Sequence, residues 1–259
     1  MRMMKKVLGT VTVLALSVSL LAGCGSTAAS PVSSAASTAA ESTTSSVVSE
    51  TTSAAADENV AAAAQLLNDL TGSYQELWPV ILADEYKQTW LDVCTALVGE
   101  DNAEAAFEKL SSMVTGDVYG EDAVEAYANG GGAYFCGFTN SLATLTFDGE
   151  TSTISGTDKD GNVLFSHTYH YIGMEPVHGL YEFESDDADS GEFTYFFLAP
   201  DTSAETYHIE FRYGSDAEAL SQYDAGEYAY WLASGISTDC DQTMIDNCIE
   251  LFCTENLAG

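Results

Sequence analysis

A change of hydrophobic period after the triple glycine at residues 130–132 constrains the fold more than any other feature. From there to Tyr213, apolar and polar residues alternate in short runs, joined by turn-like links such as Asp160-Gly161. Alternation with a period of two predicts half-buried β-strands. The predicted strands are residues 133–138, 142–147, 152–156, 163–171, 179–183, 193–198 and 207–213. Short strands in such succession favour an antiparallel barrel or sandwich.

Helical spacing of apolar residues marks the segments on both sides of these strands. The predicted helices are residues 60–69, 85–98 and 103–114 before the strands, and residues 216–222 and 239–252 after them. Hydrophobic residues make up 46% of the chain, which is enough to fill one sizeable core. We therefore expect one domain over residues 58–259 that is mainly β with flanking helices, in the α+β class.

The N-terminus has the build of a bacterial lipoprotein leader. Arg2, Lys5 and Lys6 precede an uncharged apolar run at residues 7–22. The run ends at Leu-Ala-Gly-Cys24, which resembles a lipobox, so we predict a signal peptide over residues 1–23 and lipidation of Cys24. Acylation would anchor the mature protein at the outer face of the bacterial cell membrane, in an extracytoplasmic location.

Residues 24–57 are predicted to be a linker. They are almost wholly Ser, Thr, Ala and Val, without aromatic residues or periodicity. Such a composition cannot bury enough apolar surface to fold by itself. The stretch therefore predicts a flexible tether between the anchor and the domain.

Charge excludes one class of partner and favours another. The chain has 7 Lys+Arg and 40 Asp+Glu, which gives a formal net charge of −33 at pH 7. A surface this acidic repels nucleic acid and raises the local concentration of divalent cations. No Ser/His/Asp order, phosphate-binding glycine loop or His-Glu-x-x-His motif is present in the sequence, so we expect no enzyme.

All four histidines lie within 42 residues of one another, in the strand-rich region. In the strand at residues 207–213, His208, Glu210 and Arg212 share the face opposite the apolar residues. Imidazole and carboxylate groups are zinc ligands, so His208 and Glu210 form a candidate metal-ligand pair. A strand with one apolar and one solvated face gives the same pattern.

Residues 71–79 and 208–220, with further segments between them in the same order, resemble the ZinT (YodA-type) lipocalin-like zinc-binding domains. Residues 208–220, a strand followed by Gly214 and a helix, resemble the end of that domain, as does Tyr228-Ala-Tyr-Trp231 beyond them. Residues 71–79 resemble its opening strand. Further similar segments are Asp160-Gly-Asn-Val-Leu164, Tyr181-Glu-Phe-Glu184 and Phe196-Phe-Leu-Ala-Pro200.

The resemblance implies a calycin-like β-barrel with attached helices that binds zinc or another divalent ion and helps an ABC importer to acquire metal. It also implies ligand positions: the family's paired histidines match His208 and Glu210, and a third histidine matches Phe196, which cannot bind metal. We predict that His170 or His178 supplies the missing ligand. For His167, we expect a packed or hydrogen-bonded histidine.

Two other functions stay open. The barrel could hold a small organic ligand among its Tyr and Phe side chains, or the domain could be a surface module that has lost its metal site and whose histidines are structural. Cys240, Cys248 and Cys253 could form a thiolate metal site, but their spacing matches no standard zinc pattern and favours burial or a disulfide. Without Cys24, five cysteines remain, so at least one does not pair within the chain.

Overall fold

The computed structural model describes residues 47–199 and 208–257, with side chains from residue 58 onward. The helices in this part of the chain are α1 (Val47–Asp69), α2 (Leu77–Ile81), α3 (Lys87–Val98), α4 (Glu100–Met113), α5 (Glu121–Ala128), α6 (Ala217–Leu220) and α7 (Gln242–Leu257). The strands are β1 (Gly72–Glu76), β2 (Thr144–Asp148), β3 (Thr153–Thr157), β4 (Val163–Met174), β5 (Tyr181–Ser185), β6 (Tyr195–Leu198), β7 (His208–Gly214) and β8 (Ala233–Ser237).

The eight strands form a closed antiparallel barrel. Each strand pairs with the next in sequence, and β8 pairs with β1, where Gln75 lies opposite Ile236. Closure leaves no open sheet edge among these strands. The prediction of a calycin-like antiparallel barrel with flanking helices is confirmed, and the sandwich alternative is not formed.

Aromatic side chains fill the interior of the barrel. On β7, Ile209, Phe211 and Tyr213 point inward and are at most 2% exposed. Phe196 of β6 lies opposite Tyr213 in the ladder, and the two ring centroids are 5.4 Å apart. Phe196 also contacts Tyr169 of β4 across the interior, at 5.4 Å between centroids. The aromatic residues that could have lined an organic-ligand cavity therefore contact one another.

A second apolar core lies between the outer face of the barrel and helices α2, α3, α4 and α7. Trp90 of α3 is fully buried there, and its indole N–H donates to the Ile81 carbonyl oxygen at 2.7 Å. The Trp90 ring meets Phe252 of α7 at 6.1 Å between centroids, and Ile236 of β8 belongs to the same cluster. This core fixes α7 against the barrel wall, where the candidate ligand pair lies.

One predicted strand, at residues 133–138, does not join the barrel. Phe135 forms isolated bridges with Thr115 and Trp231, and the Trp231 indole N–H donates to the Gly137 carbonyl oxygen at 2.9 Å. The ladder is already closed by β1 and β8, so this extended segment pairs only at single positions.

Helix α1 begins at Val47, inside the segment that the sequence predicts to be a linker. The Ala and Glu residues of that stretch are good helix formers, which favours its continuation into the helix predicted at residues 60–69. The predicted signal peptide, Cys24 and residues 24–46 of the predicted linker lie outside the described residues. None of the helices in the described ranges has both the length and the apolar character needed to cross a membrane.

Buried thiols and phenols make the fold sensitive to alkaline pH. Burial raises the pKa of Cys248 from its ordinary 9.0 to about 12 and that of Tyr134 from 10.0 to about 12. Because these pKa values are higher in the folded state, their contribution to stability is complete below about pH 9 and is lost as pH rises from about 9 to 12. We expect the free energy of unfolding, measured by denaturant titration, to change little between about pH 7 and 8.5 and to fall above about pH 9. An unchanged value at about pH 11 would contradict the burial of these groups.

Candidate metal site

The candidate ligand pair lies on the outer face of β7. Since Ile209 and Phe211 point into the barrel, their neighbours His208 and Glu210 point the other way, towards the helical layer. His208 lies opposite Ile236 of β8, and Glu210 lies opposite Ser234. Both ligand candidates are half-buried. The strand therefore presents one imidazole and one carboxylate side by side beneath α7.

A cavity of about 30 Å³ separates this part of β7 from α2 and α7. Its polar wall consists of His208, Glu210, Cys248 and Glu255. Its apolar wall consists of Leu77, Trp78, Ile81, Leu251 and Phe252. Cys248 and Glu255 are seven residues apart, or about two helical turns, so both project from one face of α7. The cavity brings together nitrogen, sulfur and oxygen donors from a strand and a helix.

The thiol of Cys248 is protonated at neutral pH. Burial, with a smaller contribution from the nearby Cys240, raises its pKa to about 12. A metal ion that bound this sulfur would have to displace the proton. Zinc ions bind cysteine as the thiolate, so such a site would release a proton on loading.

A second thiol lies next to Glu210. Burial raises the pKa of Cys136, and the negative charge of Glu210 raises it further. The side chains of Trp78 and Ser234 lower this pKa. The Ser234 backbone N–H donates to the Cys136 carbonyl oxygen at 3.1 Å, which holds the 133–138 segment against β8. Cys136 and Trp78 also line a larger cavity of about 360 Å³, which lies outside the barrel.

His170 lies on the outer face of β4 among carboxylates. Its Nδ1 atom is 2.7 Å from Asp186 Oδ1, and its Nε2 atom is 4.0 Å from Glu184 Oε2. About half of its side chain is exposed. His170 does not line the cavity that contains His208.

His178 lies in the connection between β4 and β5 and packs on an aromatic ring. Its ring centroid is 3.8 Å from that of Tyr223, and its Nδ1 atom is 3.4 Å from Glu175 Oε2. Glu175 is fully buried and accepts hydrogen bonds from the backbone N–H groups of Val177 and His178. His178 does not line the cavity either.

His167 points towards the barrel interior, and its side chain is 16% exposed. Its Nδ1 atom is 2.8 Å from Asp187 Oδ2, and its ring stacks on Phe165 at 5.9 Å between centroids. The structure therefore agrees with the expectation of a packed and hydrogen-bonded histidine.

Position 196 and the His208–Glu210 pair lie on opposite faces of the barrel wall. Phe196 is fully buried in the interior, whereas His208 and Glu210 face the helices. A histidine at position 196 would point away from the pair. In the described ranges, no three His, Cys, Asp or Glu side chains lie close enough together to hold a metal ion. The donor atoms that line the cavity therefore face one another, but they do not meet around a single point where a metal ion could bind.

The sequence patterns did not identify Glu255 as a ligand candidate. They grouped Cys248 with Cys240 and Cys253. The seven-residue spacing of Cys248 and Glu255 can be read from the sequence. The surface against which this face of α7 packs cannot. Of the three C-terminal cysteines, Cys248 and Cys253 are buried, and Cys240 is half-buried.

Two of the solved structures that resemble this fold come from Streptococcus pneumoniae. One is the Zn(II)-bound ZinT-like domain of Streptococcus pneumoniae AdcA, which is 16% identical, with 71% of this chain and 89% of that chain covered and a TM-score of 0.45. This neighbour is a ZinT-like domain.

The other neighbour is Zn(II)-bound AdcA from the same organism, at 15% identity and a TM-score of 0.42. The match covers 72% of this chain and 35% of AdcA, so it corresponds to about a third of that protein's length. No protein-family model and no curated protein matches the sequence.

Proposed function

We propose that this chain is an extracytoplasmic protein that binds a divalent metal ion, zinc, and captures it or delivers it to an importer of the ABC class. The observation that supports this function is the cavity between β7 and α7, which is lined by His208, Glu210, Cys248 and Glu255. These side chains supply the three donor types that zinc accepts.

The donor set favours zinc over harder cations. Magnesium and calcium prefer sites built from oxygen alone, whereas imidazole and thiolate ligands suit zinc and other borderline or soft ions. The net charge of −33 would concentrate any divalent cation near the protein, without selecting among cations. Selectivity for zinc over the other cations would therefore depend on His208 and Cys248.

Binding requires α7 to approach β7. The donors do not converge in the described residues, and zinc needs ligand atoms at about 2.0–2.3 Å. The volume of about 30 Å³ leaves room for one ion and no hydration shell. A small inward shift of α7 would bring Cys248 and Glu255 towards His208 and Glu210.

His170 and His178, the third ligands suggested by the sequence, are the alternatives to Cys248 and Glu255. In each of these histidines, a carboxylate oxygen lies near the Nδ1 atom. This arrangement is common for metal-bound histidines. Either would have to move from its present partners to reach His208. Alanine variants at positions 170, 178 and 248 distinguish these ligand sets.

Titration calorimetry with the full chain tests the function itself. We expect zinc to bind with a dissociation constant below about 10 μM, and magnesium in the same buffer to give no comparable heat. Zinc binding weaker than this, or equal binding of both ions, would contradict the proposal.

Proton release on zinc binding tests the role of Cys248. Because its pKa of about 12 keeps the thiol protonated between pH 7 and 9, thiolate ligation releases about one proton per zinc ion and strengthens apparent binding about tenfold per pH unit. Calorimetry in two buffers of different ionisation enthalpy measures this release. We expect it to fall by about one proton in Cys248→Ala and to be retained in Cys240→Ala. Equal release from wild type and Cys248→Ala would show that the sulfur is not a ligand.

The location that we propose for the protein is the outer face of the cell membrane. A signal peptide over residues 1–23, a lipid on Cys24 and a tether over residues 24–57 would place the domain at the outer face of the cell membrane, where an importer could receive its metal. Metabolic labelling with a fatty acid should mark the wild-type chain and leave Cys24→Ser unlabelled. Labelling of both would contradict the anchor.

A further inference from the structure

Two buried thiols lie in contact between α3 and α7. The Sγ atoms of Cys94 and Cys253 are 4.0 Å apart, and both side chains are fully buried. The residues are 159 positions apart in sequence, so the contact arises from the packing of the two helices. Trp90 and Phe252 pack beside them and hold the helices at this separation.

The geometry points to a disulfide between Cys94 and Cys253 that forms when the chain folds in an oxidising medium. A disulfide has an S–S length of about 2.05 Å, so the sulfur atoms must move about 2 Å closer. Rotation of the two side chains would supply this shift, starting from sulfur atoms that already lie in contact. The bond would tie the C-terminal helix to α3.

The chemistry is thiol–disulfide exchange. One thiol loses its proton and attacks a disulfide oxidant such as oxidised glutathione, which releases one glutathione thiolate. The second cysteine, as thiolate, then attacks the mixed disulfide and releases the other glutathione. Two protein thiols lose two electrons and two protons, and one oxidant molecule becomes two thiols.

Burial controls when this reaction takes place. Burial raises the pKa of Cys94, and burial followed by the charge of Cys94 raises that of Cys253, so few thiolates are present in the folded state. Oxidant also cannot reach either sulfur while both are 0% exposed. The bond therefore forms during folding, or when α7 opens, and is protected from reductant once it is formed.

Peptide mapping of the full chain tests this bond. The protein is unfolded, reduced, refolded with oxidised and reduced glutathione, alkylated under denaturing conditions and digested at Glu. Cleavage after Glu250 and Glu255 separates Cys253 from Cys248, and cleavage after Glu85 and Glu100 isolates Cys94 from the other cysteines. We expect a linked pair of these two peptides that disappears on reduction. Alkylation of both cysteines, or a different pairing for either, would overturn the inference.

Thermal unfolding gives a second readout. Since the bond closes a long loop, the oxidised protein should melt about 5–15 °C above the reduced protein, and Cys94→Ser and Cys253→Ser should lose this difference. Cys240→Ser, which changes a half-buried thiol outside the pair, should keep it. A linked pair without any rise in melting temperature would contradict the claim that the bond ties α7 to α3.

Discussion

Replacement of His208 by alanine should weaken zinc binding by the full chain at least about 100-fold. The loss of a residue that only supports a metal ligand costs about 10–100-fold in affinity, and the loss of a ligand itself costs at least as much. His208 is the imidazole of the cavity; it lies beside Glu210 on β7 and faces Cys248 and Glu255 of α7 across the cavity. Without it, the donors that remain are two carboxylates and a sulfur that must first lose its proton, so zinc is held less tightly.

Matched histidine variants make this expectation specific. His167→Ala removes an imidazole that pairs with Asp187 and lies away from the cavity, so it should leave zinc affinity unchanged. His170→Ala and His178→Ala should also retain it if α7 completes the site. Calorimetric titration of each variant gives the comparison. An unchanged affinity in His208→Ala, or a loss in His167→Ala of the same size, would contradict the assignment.

Replacement of Arg212 by alanine should lower the free energy of unfolding by about 3–5 kcal/mol. Arg212 is fully buried on the outer face of β7, and its guanidinium carbon lies 4.2 Å from the centroid of the Tyr223 ring. Its guanidinium N–H groups donate to the carbonyl oxygens of Leu220, Gln222 and Tyr228. The side chain therefore ties the segment after α6 to the barrel wall.

Two losses combine in Arg212→Ala. The carbonyl oxygens lose their donors, and the fully buried carboxylate of Glu175 loses a cation whose charge acts on it. Denaturant unfolding should show the change, with a fall in melting temperature of about 6–20 °C. Lys159→Ala removes a side chain that is 82% exposed and should change stability by less than about 0.5 kcal/mol. Equal stability of both variants would contradict the role given to Arg212.

The strands were predictable where apolar and polar residues alternate. β2 to β7 lie within a few residues of their predicted positions, because most of these strands have a buried and a less buried face. The alternation of apolar and polar residues did not predict β1 or β8. The segment of β8, Ala233–Ser237, is buried on both faces and therefore shows no alternation. One of its two partners in the closed barrel, β1, is distant in sequence.

The candidate site was predictable only in part. The alternation in β7 correctly placed His208 and Glu210 on one face, because the side chains of a strand alternate whatever packs against it. The identity of the opposite wall depends on how α7 packs across the barrel, and no local pattern in the sequence records that contact. Cys248 and Glu255 therefore emerged from the tertiary structure.

Anomalous scattering at the zinc absorption edge, from crystals of the zinc-loaded chain, locates the bound metal ion. We expect one strong peak between β7 and α7, within about 2.0–2.3 Å of an imidazole nitrogen of His208 and a carboxylate oxygen of Glu210. A peak elsewhere on the protein, with the cavity beside His208 still without metal, would contradict it.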